Sequence, residues 1–178
     1  MKIELYPLIG IKINEIKLEL GMSMNELVSA LGEPETIFKN TPYEPDTTQI
    51  YYYESEVRFD FNQENKLVFI EFLGGIDGRL HPEIDGADVF SMQADELTAI
   101  LRQKNGGNGI DNENGYSYAF QNIGVGIYRE LIPGDVEELT QEAAKEGNPL
   151  SEEDYHSELS KAIHWATIGL GGRSYYTE

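Results

Sequence analysis

The chain has 178 residues, of which 40% are hydrophobic and 11% aromatic, a composition typical of a folded globular protein. Its 13 Lys and Arg residues against 32 Asp and Glu residues give a formal net charge of −19. Such a field repels phosphate backbones and anionic lipid surfaces and attracts basic proteins, so we expect neither a nucleic-acid nor a membrane partner.

The chain contains no cysteine, which excludes disulfides, thiol catalysis and thiolate metal sites. Charged residues interrupt the N-terminal residues 1–20, so the apolar core of a signal peptide is absent there. No apolar run reaches membrane-spanning length. The sequence therefore predicts one cytoplasmic domain over residues 1–178.

A short helix with clear start and stop signals is predicted within residues 20–34. Ser23 and Glu26 have the spacing of a reciprocal capping box, and Gly32 followed by Pro34 ends the pattern. One apolar stripe is formed by Met24, Leu27, Val28 and Leu31. We expect this stripe to be buried against a sheet.

Strand patterns surround the helix. One or two strands are expected within residues 3–20, whereas residues 40–49 contain two prolines and are expected to lack regular structure. Three further β-prone runs follow at residues 50–54, 57–61 and 67–73, the last two joined by a turn. The third run is apolar on both faces, which predicts a central strand.

The second half repeats part of this pattern. A helix is predicted over residues 92–104, and Met92, Leu97 and Leu101 stand 70 positions after equivalent apolar residues of the first helix. A Gly- and Asn-rich loop at residues 105–115 precedes strands at 116–120 and 123–129. This echo favours an internal repeat of residues 1–75 and 76–130, although two amphipathic helices can also look alike by chance.

The C-terminal segment 131–178 is predicted to be acidic and largely helical. Residues 130–158 contain ten acids and one base, Lys145. A helix is predicted from Asp135 to Glu146, a second follows the capping signal at Ser151, and residues 165–170 form an apolar strand. We identify its acids as candidate partner-binding residues: Glu137, Glu138, Glu142, Glu152, Glu153 and Asp154. The alternative is that they only keep the protein soluble.

No residue pattern points to catalysis, a metal or a cofactor. His156 and His164 are eight residues apart on one helical pattern, too far to share a metal, and His81 lies in a loop. Aligning Gly115 with the glycine of a calcium-binding EF-hand loop places Ile110 at its first ligand position, so that motif is rejected. We predict a non-enzymatic protein without metal or cofactor.

The tyrosines at positions 51–53 are candidate interface anchors. Strand alternation places Tyr51 and Tyr53 on one face of the sheet and Tyr52 on the other. Tyrosine is a favoured anchor in protein interfaces, but aromatic strand residues also pack within ordinary sheets. The same two interpretations apply to Tyr175 and Tyr176.

The run IKLELGMSMNELVSALGEP at residues 16–34, followed by the three predicted strands, resembles the repeat of the β-lactamase inhibitor protein-like and BamE-type (SmpA/OmlA) folds. The second half departs from this pattern, because Arg102 replaces the exit glycine and no proline follows. The resemblance implies an α+β fold of two tandem units, each a helix on a curved antiparallel sheet, to which the residue patterns of segment 131–178 add extra C-terminal helices. It also implies protein binding without catalytic residues.

The closing run HWATIGLGGRSYY is similar to the C-terminal ends of small bacterial cytoplasmic proteins, including toxin-immunity proteins. Together these features predict an intracellular protein that binds a basic partner, such as a toxin whose active site it occludes. Two alternatives remain: a small-ligand protein or enzyme with a pocket near loop 105–115, and a structural domain.

Overall fold

The computed structural model describes residues 1–39, 46–111 and 113–176. In it, the segments with alternating apolar residues form strands, and the segments with apolar residues every three to four positions form helices. The helices are α1 (Met24–Leu31), α2 (Ala94–Lys104), α3 (Pro133–Lys145) and α4 (Glu152–Ala162). The strands are β1 (Ile3–Tyr6), β2 (Gly10–Ile13), β3 (Ile16–Glu19), β4 (Thr36–Lys39), β5 (Thr48–Tyr52), β6 (Val57–Phe61), β7 (Leu67–Phe72), β8 (Glu83–Ile84), β9 (Ala87–Asp88), β10 (Ile110–Asp111), β11 (Ser117–Phe120), β12 (Val125–Tyr128) and β13 (Thr167–Gly171). The predicted class, mixed α and β with antiparallel sheets, is confirmed.

The larger sheet has eight strands in the order β10-β11-β12-β13-β7-β6-β5-β4, and all its neighbouring strands are antiparallel. From the centre outwards, β7 is followed by β6, β5 and β4, and β13 by β12, β11 and β10. The predicted central position of β7 is confirmed. The acidic segment 131–178 therefore supplies a central strand as well as helices. Duplication of the two halves stays a prediction.

The two faces of this sheet differ because side chains alternate along each strand. One face carries the fully buried residues Ile50, Val57, Phe59, Ile70, Phe72, Val125, Ile168 and Leu170. Leu27 of α1 and both Leu97 and Leu101 of α2 belong to the same buried cluster. Both helices thus cover this core face, and we call the opposite side the outer face.

A smaller sheet in the order β3-β2-β1-β8-β9 contributes to the same core. Its strands are antiparallel except for β1 and β8, which run parallel. Ile3, Ile13 and Leu18 are buried in the cluster that contains the residues of the larger sheet. Residues 3–20 thus form three strands, one more than the upper expectation.

Helix α1 has the predicted caps. The Ser23 side chain accepts a hydrogen bond from Glu26 N, and the Glu26 carboxylate accepts one from Ser23 N. Gly32 follows the helix with φ +88° and donates its N–H to Val28 O. Leu27 is the fully buried member of the predicted stripe, whereas Met24 and Leu31 are partly buried against the core.

Several short strands were not predicted. Strand β4 lies at the edge of the larger sheet, and the hairpin of β8 and β9 extends the smaller one. The predicted loop 105–115 contains β10, which pairs with β11. Of the predicted irregular segment 40–49, residues 40–45 lie outside the described residues, and β5 already begins at Thr48.

Helices α3 and α4 form a helical hairpin inserted between the adjacent strands β12 and β13. Tyr128 and Thr167 are direct pairing partners, although 38 residues lie between them. Val136 is the buried residue of α3, and Ala162 is that of α4. Leu139, three residues after Val136 on the same helix, is 43% exposed. The hairpin therefore packs mainly on itself and at its base.

Candidate functional site

The outer face of the larger sheet is not covered by α1 or α2. Pairing registers place one row of residues across all eight strands: Thr36, Tyr51, Arg58, Glu71, Gly169, Gly126, Ala119 and Ile110. A second row contains Phe38, Gln49, Asp60, Phe69 and Gly171. Phe38 is 51% exposed, and Tyr128, which lies on the same face next to the helical hairpin, is 40% exposed. The outer face thus mixes aromatic rings with charged groups.

An ion-pair group occupies the centre of the outer face. Arg58 Nε lies 3.1 Å from Asp60 Oδ1, and its Nη2 lies 3.2 Å from Glu71 Oε2. The guanidinium also lies 5.5 Å from the centroid of the Phe69 ring. Asp60 is fully buried, so its charge depends on Arg58 for compensation. We expect this group to fix the side chains at the centre of the face.

The chain end packs on the outer face over strand glycines. Tyr175 stacks on Phe69 with ring centroids 4.3 Å apart and planes 2° from parallel. A Cβ on Gly126 would stand 2.5 Å from the Tyr176 hydroxyl, so the ring occupies space that only glycine leaves open. Gln121 Nε2 donates to Tyr176 O at 2.7 Å. Burial raises the pKa of the Tyr176 hydroxyl.

The two candidate tyrosines do not share a face. Tyr51 lies on the outer face, edge-on to Phe38 at 5.7 Å between ring centroids. Strand β5 ends at Tyr52, and Tyr53 begins a turn in which three successive residues have φ of 58°, 58° and 66°. Tyr53 packs against the core cluster instead. Extending strand alternation to Tyr53 was therefore wrong.

This left-handed turn is held by a carboxylate. Glu35 accepts hydrogen bonds from the backbone N–H groups of Glu54 at 2.9 Å and Ser55 at 3.1 Å. A left-handed conformation costs about 1–2 kcal/mol per residue for non-glycine residues. The two charge-assisted bonds help to offset that strain.

The candidate acids lie on the helical hairpin and are exposed. Glu137, Glu138 and Glu142 are on α3, and Glu152 and Glu153 begin α4. None of these five forms an ion pair with another described residue. Ser151 caps α4 by accepting the Asp154 N–H at 3.0 Å, and its hydroxyl donates to the Asp154 carboxylate at 2.6 Å.

The hairpin acids and the outer-face tyrosine are separate. Tyr51 is on β5, three strands from β13, which corresponds to about 14 Å at the usual strand spacing. Tyr128 is the outer-face aromatic residue next to the hairpin base, and sequence patterns did not single it out. The pairing of β12 with the distant strand β13 places it there.

A cavity of about 280 Å³ lies at the base of the helical hairpin. Its lining includes Asn114 and Gly115 from the predicted loop, Gln93 and Asp95 from the start of α2, and Arg129. Arg129 is 8% exposed and stacks over Trp165, with its Cζ 4.8 Å from the ring centroid. Burial lowers the pKa of Arg129. This cavity occupies the position of the pocket considered near loop 105–115.

The base of the hairpin is fixed by a second polar contact. The Tyr116 hydroxyl donates to the Asp135 carboxylate at 2.7 Å, and this carboxylate also accepts the Ile132 N–H at 2.8 Å. The bond to Asp135 raises the pKa of Tyr116. Asp135 therefore ties the first turn of α3 to Tyr116, the residue directly before β11.

A Ser, His and Asp cluster was missed by sequence reasoning because its members come from separate turns. His81 Nδ1 lies 3.1 Å from Asp88 Oδ2, and Ser91 Oγ lies 3.2 Å from that same nitrogen and 2.9 Å from the Asp88 carboxylate. His81 Nε2 lies 3.1 Å from Gly78 O. A catalytic triad places the nucleophile and the carboxylate on opposite nitrogens of the imidazole, so this arrangement fits a turn-fixing role.

Asp88 holds that turn in the ionised form. Burial acts to raise its pKa, but the hydrogen bonds from Ser91 and His81 outweigh burial, so the pKa lies below its usual value. The Asp88 carboxylate also accepts hydrogen bonds from the backbone N–H groups of Phe90 and Ser91. Of the other histidines, His156 is exposed and His164 Nδ1 lies 2.7 Å from Ser160 O.

Within the described ranges, no group of three or more acids and histidines is placed to hold a metal ion. None of the helices in those ranges combines the length and apolarity required to cross a membrane. Comparisons of the chain with protein-family models, curated protein sequences and solved structures give no match. The resemblance to the inhibitor-like and BamE-type repeats stays a prediction.

Proposed function

We propose that this chain is a non-enzymatic intracellular protein that binds a basic protein partner through the outer face and the helical hairpin. The most concrete form of this proposal is a cytoplasmic immunity protein that occludes the active site of a toxin. The observation that carries the proposal is that exposed aromatic rings, Phe38 and Tyr128, flank the part of the outer face that Tyr175 and Tyr176 cover, and that an exposed acidic hairpin extends from its strands β12 and β13.

The outer face supports the affinity part of the proposal. Phe38, Tyr51 and Tyr128 offer aromatic surface, and aromatic residues are enriched at the energetic centres of protein interfaces. Arg58 forms ion pairs with Asp60 and Glu71 at the centre of the face. A docking partner would therefore not leave these charges buried and unpaired.

The helical hairpin supports the electrostatic part. Its acids have no described cationic partners except for Glu158, whose carboxylate lies 3.0 Å from Lys161 Nζ. Unpaired exposed charges of one sign attract an oppositely charged partner and raise the association rate. A basic rim around a toxin active site would match this charge.

The experiment measures association with the product of the adjacent reading frame, where that product is a basic protein. Glu137, Glu138 and Glu142 are replaced together by Gln, and the matched control replaces the exposed Glu19, Glu33 and Glu64 in the same way. Both variants change the net charge equally. We expect the α3 variant to lower the association rate constant about tenfold and to flatten its salt dependence. Equal effects of the two variants, or no complex, would contradict the proposal.

A second comparison tests the aromatic part. Tyr128→Ala removes an outer-face ring that is 40% exposed, and Tyr6→Ala removes a ring of the smaller sheet that is 41% exposed. We expect Tyr128→Ala to raise the dissociation rate constant about tenfold, because interface anchors act mainly on dissociation. Tyr6→Ala should leave it unchanged. The opposite ranking would move the interface away from the outer face.

A further inference from the structure

The cavity at the base of the helical hairpin contains a buried cation without a bound carboxylate. Arg129 Nε donates to Gly115 O at 3.0 Å, and its Nη1 donates to Ala162 O at 2.7 Å. Its Nη2 has no hydrogen-bond partner among the described residues, and none of their carboxylates lies within 4.0 Å. A Cβ on Gly115 would stand 3.8 Å from this nitrogen, and both residues line the cavity. One face of the guanidinium fork is therefore available to a ligand.

The N-terminus of α2 reaches the same cavity and favours an anion. Gln93, at the N-cap, makes no side-chain capping bond. The Ala94 N–H donates to Ile163 O, but the N–H groups of Asp95 and Glu96 have no acceptor among the described residues. First-turn amides and the helix dipole together attract negatively charged groups. They add to the attraction exerted by Arg129.

The cavity also carries a negative group at its rim. Asp95 is exposed and forms no hydrogen bond or ion pair with the described residues. It would repel a ligand that is only anionic, whereas it would attract a cationic nitrogen. Gln93 and Asn114 provide amide groups, and Ile132 and Ile163 provide apolar wall. The arrangement suits a ligand with both charges and a small apolar part.

We propose that this cavity binds a small zwitterion of the free amino-acid class, with its carboxylate on Arg129 and its ammonium group on Asp95. Such a ligand has no net charge, so the overall charge of −19 does not oppose its approach. The cavity volume of about 280 Å³ fits a small ligand. The described residues that line the cavity include none of the acids or aromatic rings of the proposed protein-binding surface, although they include Pro133 at the start of α3.

The test is an NMR titration of the full chain with glycine, alanine, leucine, glutamate and lysine. For the tightest binder, two matched compounds that lack either the ammonium group or the carboxylate are titrated as well. We expect saturable shifts at the amides of Asp95, Glu96 and Gly115, and at least about tenfold weaker binding of each half-ligand. No saturable shift with any of the five, or equal binding of the half-ligands, would overturn the proposal.

Variants separate the site from general charge effects. Asp95→Asn, at the exposed rim, should weaken zwitterion binding about tenfold and remove the preference over the carboxylate-only compound. Glu64→Gln removes one negative charge at an exposed residue that does not line the cavity, so it should have no effect. Arg129→Gln also removes the hydrogen bonds to Gly115 O and Ala162 O. Its fold is therefore compared with that of the unmodified chain by circular dichroism before it is titrated. Equal effects of Asp95→Asn and Glu64→Gln would contradict the assignment.

Discussion

At the scale of residues, buried hydroxyl groups and strand glycines determine how the sheet packs. The Tyr52 hydroxyl donates to Gly32 O at 2.8 Å, which joins β5 to the end of α1. Burial, followed by the charge of Glu33, raises the pKa of Tyr52 to about 12 from its usual 10.0. The neutral phenol is the form that the folded protein stabilises.

This shift predicts a loss of stability at alkaline pH. Because the folded-state pKa is raised, the contribution of Tyr52 is complete below pH 10 and is lost as the pH rises through about 12. Tyr52→Phe should lower the free energy of unfolding by about 1 kcal/mol at neutral pH. Between pH 10 and 12 the variant should lose less stability than the unmodified chain, because it has no phenol to ionise. Denaturant unfolding across this range checks it. Parallel pH profiles for the two proteins would contradict the buried neutral phenol.

Gly126 tests how the chain end is seated. A Cβ there would meet the Tyr176 ring, so Gly126→Ala should displace the ring and cost about 1–3 kcal/mol of unfolding free energy. Gly172→Ala is the control, because a Cβ at that position meets nothing within 4 Å. Unfolding curves and the NMR signals of the Tyr176 ring provide the measurement. An unchanged Tyr176 environment in Gly126→Ala would show that the ring is not held there.

At the scale of elements, α1 was the best-predicted part of the chain because its signals are local. The capping residues, the apolar spacing and the exit glycine all lie within residues 23–32. The turn after β5 was not predicted, since Tyr53 and the two residues after it contain no glycine or asparagine. Its conformation depends on Glu35, which is distant in sequence, and this dependence cannot be read from periodicity.

Ser23→Ala tests the contribution of the α1 cap. The change removes the acceptor for Glu26 N and should cost about 1 kcal/mol, or roughly 2–4 °C in the unfolding temperature. Ser29→Ala is matched in chemistry on the same helix, but Ser29 Oγ donates to Asn25 O within the helix and does not cap it. We expect a smaller change there. A larger effect at Ser29 would refute the role of the capping box.

The helical hairpin is predicted to be dispensable for the sheet. Tyr128 and Thr167 are already paired, so a short turn in place of residues 131–164 leaves the strand register intact. The deletion should cost roughly 3–5 kcal/mol, from the burial of Val136 and the Arg129 bond to Ala162. Circular dichroism should still show cooperative unfolding, while binding of the basic partner is lost. If the shortened chain does not fold, the hairpin is required for the core and the prediction is wrong.

At the scale of the whole molecule, the α+β class and most elements followed from hydrophobic patterns and turn residues. The placement of β13 between β7 and β12 did not, because strand order depends on contacts between residues far apart in sequence. The same long-range pairing creates the outer face and brings Arg129 beside the start of α2. For this reason the candidate acids were found from composition, and a pocket near loop 105–115 was only an alternative, whereas Tyr128 and the contribution of Arg129 and α2 to the hairpin-base cavity were not predicted.

The proposed partner-binding surface can be tested most directly by carboxyl footprinting of the complex with the basic product of the adjacent reading frame. The chain is labelled free and bound, and the modification of each Asp and Glu side chain is measured. Binding is predicted to protect Glu137, Glu138 and Glu142 of α3 and to leave Glu19, Glu33 and Glu64 unchanged. Protection confined to the second set, or no complex at all, would contradict a binding surface on the helical hairpin.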